Sequence, residues 1–184
     1  MKQLFDKSGR SDNYRFEILS PLKSCSDFDC SIPEYNEYLK KDAMRSQKDH
    51  IALTWLLVEK SSEKIVAYMS LIMDAIKLSI SEKLLHNLNY PFRTIPAMKI
   101  AKLAVDHNFS KKYKGIGTFM IANAELLAIT CNTESCAARF LTVDADIEHD
   151  KGVLAFYEKN GFIPNTELYN KNRTTISMRK DIYN

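Results

Sequence analysis

Apolar residues recur along this chain at two spacings, every second position and every third or fourth, and the changes between them mark the elements. Tyr14 to Leu19 alternates as a strand. Tyr35, Leu39 and Ala43 repeat at helical spacing behind Ser31, Pro33 and Glu34. A helix is expected from there to about Gln47, opened by a Ser-x-x-Glu capping box with proline in its first turn. Two β-rich runs, Ala52 to Glu59 and Lys64 to Ile72, flank the polar Lys60-Ser61-Ser62-Glu63, which is a hairpin signal. A short helix is expected over Ser81 to Leu88, before Pro91 and Pro96 stop regular structure. Met98 to Val105 reads as a central strand. Ile116, Phe119, Met120, Ala124 and Leu127 share one helical face, so a helix is expected over Ile116 to Ala128. Ala138 to Val143 is a further strand. Asp150 is placed to cap a helix from Lys151 to Lys159, which Asn160-Gly161 ends in a left-handed stop. Thr174 to Met178 alternates as the last strand.

That order implies an α/β fold in three α/β/α layers, with helices flanking a mixed central β-sheet. The hairpin is antiparallel, and the strand-helix-strand unit from Met98 to Val143 is parallel by the right-handed crossover rule. Residues 1–13, polar and carrying Ser8-Gly9-Arg10-Ser11, read as a flexible lead-in, and residues 14–184 as a single domain. A ligand belongs at the carboxyl end of the Met98–Val105 strand.

Composition narrows the chemistry modestly. A formal net charge of +3 over 184 residues permits an anionic ligand but is too small to argue for nucleic acid by itself. No apolar run approaches the roughly 20 residues that span a bilayer, and the N-terminus has no apolar signal core, so a cytoplasmic protein with no membrane partner is expected. Cys25 and Cys30, like Cys131 and Cys136, stand five apart, not two, so reduced thiols are expected rather than a metal site.

The most informative stretch is Leu103-Ala104-Val105-Asp106-His107-Asn108-Phe109-Ser110-Lys111-Lys112-Tyr113-Lys114-Gly115-Ile116-Gly117-Thr118. It reads as an apolar strand, a basic loop, and two glycines at the mouth of an amphipathic helix. Glycines let backbone N–H groups approach a pyrophosphate, and the helix N-terminus adds unsatisfied donors and its positive dipole end. Lys111, Lys112 and Lys114 add mobile charge; a solvated basic turn is the plain alternative.

Three features in this order resemble the GNAT N-acetyltransferase superfamily, over about Phe28 to Arg179. Lys112-Tyr113-Lys114-Gly115-Ile116-Gly117 is similar to the family's (Gln/Arg)-x-x-Gly-x-(Gly/Ala) loop. Leu103-Ala104-Val105-Asp106 resembles the strand along which family members run the pantetheine arm. Phe156-Tyr157-Glu158-Lys159-Asn160-Gly161-Phe162 resembles Phe/Leu-Tyr-Glu-Lys-x-Gly-Phe. The resemblance implies acetyl-coenzyme A as cosubstrate, held by Leu103, Ala104, Val105, Lys112, Tyr113, Lys114, Gly115, Ile116, Gly117, Thr118 and Phe156, with no metal. Two departures stand out. Lys112 lacks the planar fork of the usual arginine. Asp150 stands seven residues before the tyrosine, where relatives often carry asparagine, and its carboxylate would repel coenzyme phosphates. The lead-in Phe28–Leu39, with Ile95-Pro96 ahead of Lys102–Asp106 and Val143-Asp144-Ala145, is similar to the branch containing toxins that acetylate aminoacyl-tRNA.

The resemblance assigns Tyr157 as the general acid that protonates the departing thiolate; a phenol of pKa about 10 is protonated at neutral pH. By position alone it is more readily a core tyrosine. The oxyanion is expected against a backbone N–H near Leu103 to Val105. No spacing selects a base among Asp74, Asp106, Asp144, Glu148, His86, His107 and His149, each better read as a surface or capping group. Lys102 either meets an anionic acceptor or snorkels to solvent. The acceptor amine belongs to an aminoacyl-tRNA, a protein or a small molecule; an antitoxin partner and a homodimer are what relatives imply. Two other readings stay open, a non-catalytic coenzyme A-binding or partner-binding module on the same fold, and an RNA-binding protein.

Overall fold

In chain order the elements are β1 (Lys2–Gln3), β2 (Tyr14–Ile18), α1 (Pro33–Glu37), a π-helical turn (Tyr38–Asp42), α2 (Ala43–Lys48), β3 (Leu53–Glu59), β4 (Ile65–Lys77) and α3 (Ile80–Leu85). Then come β5 (Thr94–Val105), α4 (His107–Lys112), β6 (Tyr113–Lys114), α5 (Ile116–Glu134), β7 (Phe140–Asp146), α6 (Val153–Lys159), β8 (Ile163–Pro164) and β9 (Thr175–Asp181). The structure, a computed structural model, describes residues 2–3, 12–165 and 174–184. Seven strands form one mixed sheet in the order β2-β3-β4-β5-β7-β9-β8. β3 and β4 are the expected antiparallel hairpin, Leu53 opposite Leu71, with a bulge at Leu57/Val58. β5 and β7 pair in parallel from Ala97 opposite Phe140, as the crossover rule requires.

Two compact units divide the residues: Met1–Ile72 with Ala101–Asn123, and Met73–Ile100 with Ala124–Asn184. In the first, Leu39 and Ala43 on the early helices pack with Leu56, Val58, Ile65, Tyr68 and Ala104. Tyr68 is fully buried yet satisfied, since its hydroxyl donates to the Tyr35 carbonyl at 2.8 Å and so ties α1 to β4. In the second, Ile76, Leu78, Ile95, Ala97 and Phe140 form the core, with the His86 ring edge-on to Phe140.

Four local expectations change. The capping box is not at Ser31: Ile32 is the N-cap of α1 without a side-chain bond, and Ser31 sits at φ 69°. The box forms instead at Ser79, whose hydroxyl accepts from the Glu82 N–H while Glu82 accepts from the Ser79 N–H. The basic loop after β5 is a helix, α4, capped by Asp106, whose carboxylate accepts from the Asn108 N–H at 2.9 Å. Asp150 does not cap α6, which starts at Val153 with Gly152 as N-cap; its carboxylate accepts from the Gly152 N–H at 2.7 Å. Within the lead-in, Lys2 and Gln3 pair in parallel with Tyr113 and Lys114, while residues 4–11 lie outside the described ones.

Candidate functional site

The Gly-containing loop of the first unit is built by its neighbours. Asp106 ends β5 and turns the chain: its N–H donates to the Val66 carbonyl, and its carboxylate accepts from Asn108 and from the Asp29 N–H at 3.2 Å. One turn of α4 then presents Lys111 and Lys112, both exposed, before the two residues of β6. Tyr113 is held against the Phe109 ring at 6.4 Å, with the Lys112 ammonium 5.2 Å from its own ring. Gly115 follows at φ +85°, a conformation that L side chains rarely adopt, and a Cβ built there meets nothing within 4 Å. Its position is therefore fixed by backbone geometry and open to an incoming group.

α5 begins at once. The Phe119 N–H donates to the Gly115 carbonyl at 2.9 Å, so the amides of Ile116, Gly117 and Thr118 lie ahead of the first helical bond. No acidic residue occupies that first turn of a 19-residue helix, and exposed Lys112 and Lys114 stand before it. Main-chain donors, a positive dipole end and two lysines are what a diphosphate requires. Ile116 and Ala104 are buried, which leaves only their main chain available to a ligand; Leu103, Val105 and Gly117 are half-buried and Thr118 is exposed.

On β5, Lys102 stands one residue before Leu103. Its ammonium lies 4.5 Å from the centre of the Tyr35 ring and 6.0 Å from that of Tyr38. Tyr38 in turn stacks on the buried Tyr68, ring centres 6.3 Å apart. Periodicity gave no sign of this grouping, because the rings come from a helix more than 60 residues away. Trp55 on β3 stacks on Phe16 of β2, ring centres 4.9 Å apart, packing the sheet.

In the second unit α6 carries Phe156 and Tyr157. Tyr157 is 5% exposed and lies edge-on between the Phe156 and Phe162 rings, at 5.1 and 5.3 Å. Gly161 at φ +86° ends the helix, the left-handed stop expected from Asn160-Gly161. Of the acidic and imidazole groups considered as bases, Asp74, Asp106, Asp144, His86 and His149 have partners for their side chains. Asp74 accepts from the Thr142 hydroxyl at 2.6 Å and Asp144 pairs with Lys99 at 2.5 Å. His86 Nδ1 lies 2.7 Å from Asp181 and His149 Nδ1 2.9 Å from Asp146; at His107 it is the backbone N–H that donates, to the Asp29 carbonyl. Among the described residues no group of three His, Cys, Asp or Glu side chains could hold a metal ion, and all four cysteines are free. No helix among them is long and apolar enough to cross a membrane.

No protein-family model matches the sequence, and no curated protein matches it. Solved structures do. AtaT complexed with acetyl-methionyl-tRNAfMet is similar at a TM-score of 0.73 and 21% identity, covering 89% of this chain and 93% of that one. A tyrosine mutant of KacT is similar at 0.73 and 19% identity, covering 91% and 95%. A tyrosine-to-phenylalanine mutant of the AtaT toxin, bound to the C-terminus of the antitoxin AtaR and acetyl-CoA, is similar at 0.69 and 20%, covering 91% and 94%. With a mixed seven-stranded sheet, a parallel β5–β7 unit and these neighbours over about nine-tenths of its length, the chain adopts the GNAT fold.

Proposed function

We propose that this protein is a cytoplasmic acetyl-CoA-dependent N-acetyltransferase whose acceptor is the α-amine of an aminoacyl-tRNA. The observation that carries the reading is Gly115: a left-handed glycine with open space at its Cβ, directly before the free first-turn amides of α5. The choice of acceptor is supported by the fold shared with AtaT, which was solved with acetyl-CoA and with acetyl-methionyl-tRNAfMet. Acetyl-coenzyme A brings the activated acyl thioester. The chain's part is to hold the diphosphate on the amides of residues 116–118 with Lys112 and Lys114, and the pantetheine arm along Leu103, Ala104 and Val105. Tyr113 buttresses the loop through Phe109. As the acceptor amine attacks and the carbon–sulfur bond breaks, Tyr157 gives its phenolic proton to the departing sulfur, the proton lost by the amine leaves to solvent, and the tyrosinate takes one back from solvent to close the cycle. An α-amine on an ester has a low pKa and arrives largely neutral, so no dedicated base is required, in keeping with the structural partners of Asp74, Asp144, His86 and His149. We read residues 14–184 as one domain, because β4 and β5 each run unbroken through both units.

The burial of Tyr157 among Phe156 and Phe162 favours a second reading, a coenzyme A-binding module without transfer chemistry. Two measurements separate them. Coenzyme A raises the melting temperature under both readings. Under the first, acetyl-CoA and aminoacyl-tRNA release free thiol in step with acetylated product, and Tyr157→Phe lowers kcat by about 10²-fold or more with the coenzyme-induced shift retained. Coenzyme binding without thiol release favours the module, and unchanged turnover in Tyr157→Phe removes Tyr157 as the acid. A transferase of this acceptor class, expressed without an antitoxin, also arrests growth; AtaT was solved with the C-terminus of its antitoxin.

A further inference from the structure

Lys102 is half-buried on β5 and lies over aromatic rings. On the same strand Lys99 is neutralised by Asp144, and Lys180 is neutralised by Glu125 at 2.6 Å. Among the described residues no carboxylate pairs with Lys102; its half-buried ammonium rests instead on the faces of Tyr35 and Tyr38. The platform is built rather than incidental. Tyr68, fully buried, donates its hydroxyl to the Tyr35 carbonyl and stacks on Tyr38, and the Phe28 ring meets Tyr68 edge-on at 5.3 Å. A cation held on ring faces is stabilised less than one paired with an anion, so it remains available to an anionic ligand. When it leaves, a flat aromatic surface is uncovered beside the charge.

A phosphate next to a planar base is the ligand that uses both features; an acidic peptide would use the charge and leave the rings idle. We propose that Lys102, Tyr35 and Tyr38 form the subsite for the single-stranded 3′ end of the RNA acceptor, Lys102 exchanging the tyrosine rings for a backbone phosphate while Tyr35 stacks on a terminal base. The inference rests on the transferase reading for its acceptor class, but it is tested by binding alone, so the two fail separately. Lys102 is a positioning residue here, not a participant in bond making.

The experiment measures equilibrium binding of tRNA, intact or trimmed of its 3′-terminal single-stranded nucleotides, across a range of salt concentrations. For the native chain, trimming weakens binding about tenfold, the loss of one charge-assisted contact and a stacked base. Lys102→Met weakens binding of intact tRNA about tenfold, lowers the slope of log affinity against log salt by about one, and no longer distinguishes intact from trimmed tRNA. Lys102→Arg restores the salt slope, and Tyr35→Leu loses the trimming effect while keeping it. Melting temperatures of all variants identify any that lose the fold, for which Lys102→Gln is the substitute. The proposal is overturned if native protein binds both RNAs equally, or if Lys102→Met still loses tenfold on trimming. Discrimination of the 3′ end without acetyl transfer would leave the subsite standing and remove the transferase.

Discussion

Gly115 and Gly161 share one backbone conformation, φ +85° and +86°, and differ in what surrounds them. At Gly161 an added Cβ meets the flexible end of Lys180 at 3.4 Å, an ordinary contact; at Gly115 it meets nothing. Neither substitution by alanine therefore clashes, and both are expected to lose stability through the backbone alone, by about 1 kcal/mol each. Their effect on ligand binding should diverge. The new methyl at position 115 points into the space that a diphosphate would occupy before the α5 amides, so Gly115→Ala should abolish the melting-temperature shift produced by coenzyme A. Gly161→Ala should retain it. Equal retention in both would show that the loop is an ordinary turn. The left-handed turn at Gly115 was legible in sequence, because six consecutive residues ending in a glycine at a helix mouth state their own backbone geometry. The Lys102 platform was not legible, since it joins Tyr35, Tyr38, Tyr68 and Lys102 from four elements, and each is by itself an ordinary strand or helix residue.

At the scale of elements, two Ser-x-x-Glu patterns occur in this chain and only one became a capping box. Ser79-x-x-Glu82 closes reciprocally, while Ser31-x-x-Glu34 does not. Proline decides between them. With Ser31 as cap, Pro33 would sit at the second helical position; with Ile32 as cap it takes the first, where its fixed φ suits the helix and its missing N–H is least needed. Ser31 is then left outside at a positive φ, its N–H donating to Asp29 at 2.8 Å. Accordingly Ser79→Ala should lower the unfolding free energy by about 1 kcal/mol in a denaturant titration, and Ser31→Ala by a few tenths. Comparable losses at both sites would mean that the Ser79 box is not stabilising α3. The remaining elements show the same division between what periodicity can and cannot carry. The strand order, the parallel unit and the long helix were readable from repeats of two and three to four. α4 was not, because six residues make less than two turns and cannot display a period; nor was β1, whose two residues gain meaning only from their partners Tyr113 and Lys114. Ends ran longer than expected, β4 to Lys77 and α5 to Glu134.

On the scale of the whole molecule, sequence order and sheet order part at β9, which lies between β7 and the edge strand β8. Within the second unit an ion pair and a hydrogen bond fasten β9 to the α3 region, Arg179 to Glu82 at 2.7 Å and Asp181 to His86 at 2.7 Å, with Arg139 also on Asp181 at 2.9 Å. The Asp181 side chain is 4% exposed. Burial pushes its carboxyl up, but the Arg139 guanidinium, the Tyr183 N–H and His86 outweigh it, so the group titrates below the usual carboxylate range. Glu82 behaves alike: burial raises it, and the Ser79 N–H and hydroxyl with Arg179 bring it below its ordinary value. Both pKa values are thus lower folded than unfolded, where they are about 3.9 and 4.3. The stability they contribute is present above those unfolded values and is lost as pH falls through them toward the folded ones. The melting temperature should therefore be flat from neutrality to about pH 5 and fall below it. Asp181→Asn removes one titrating group while leaving Arg139 beside a neutral partner, so it should destabilise at pH 7 by about 3 kcal/mol and shorten the gap to the native chain as pH falls. A constant gap from pH 7 to pH 3 would place the acid sensitivity elsewhere. Because these ties are internal to the second unit and distant in sequence from the Gly115 loop, acid should loosen β9 in a hydrogen-exchange experiment before protection is lost at the amides of α5 near Phe119.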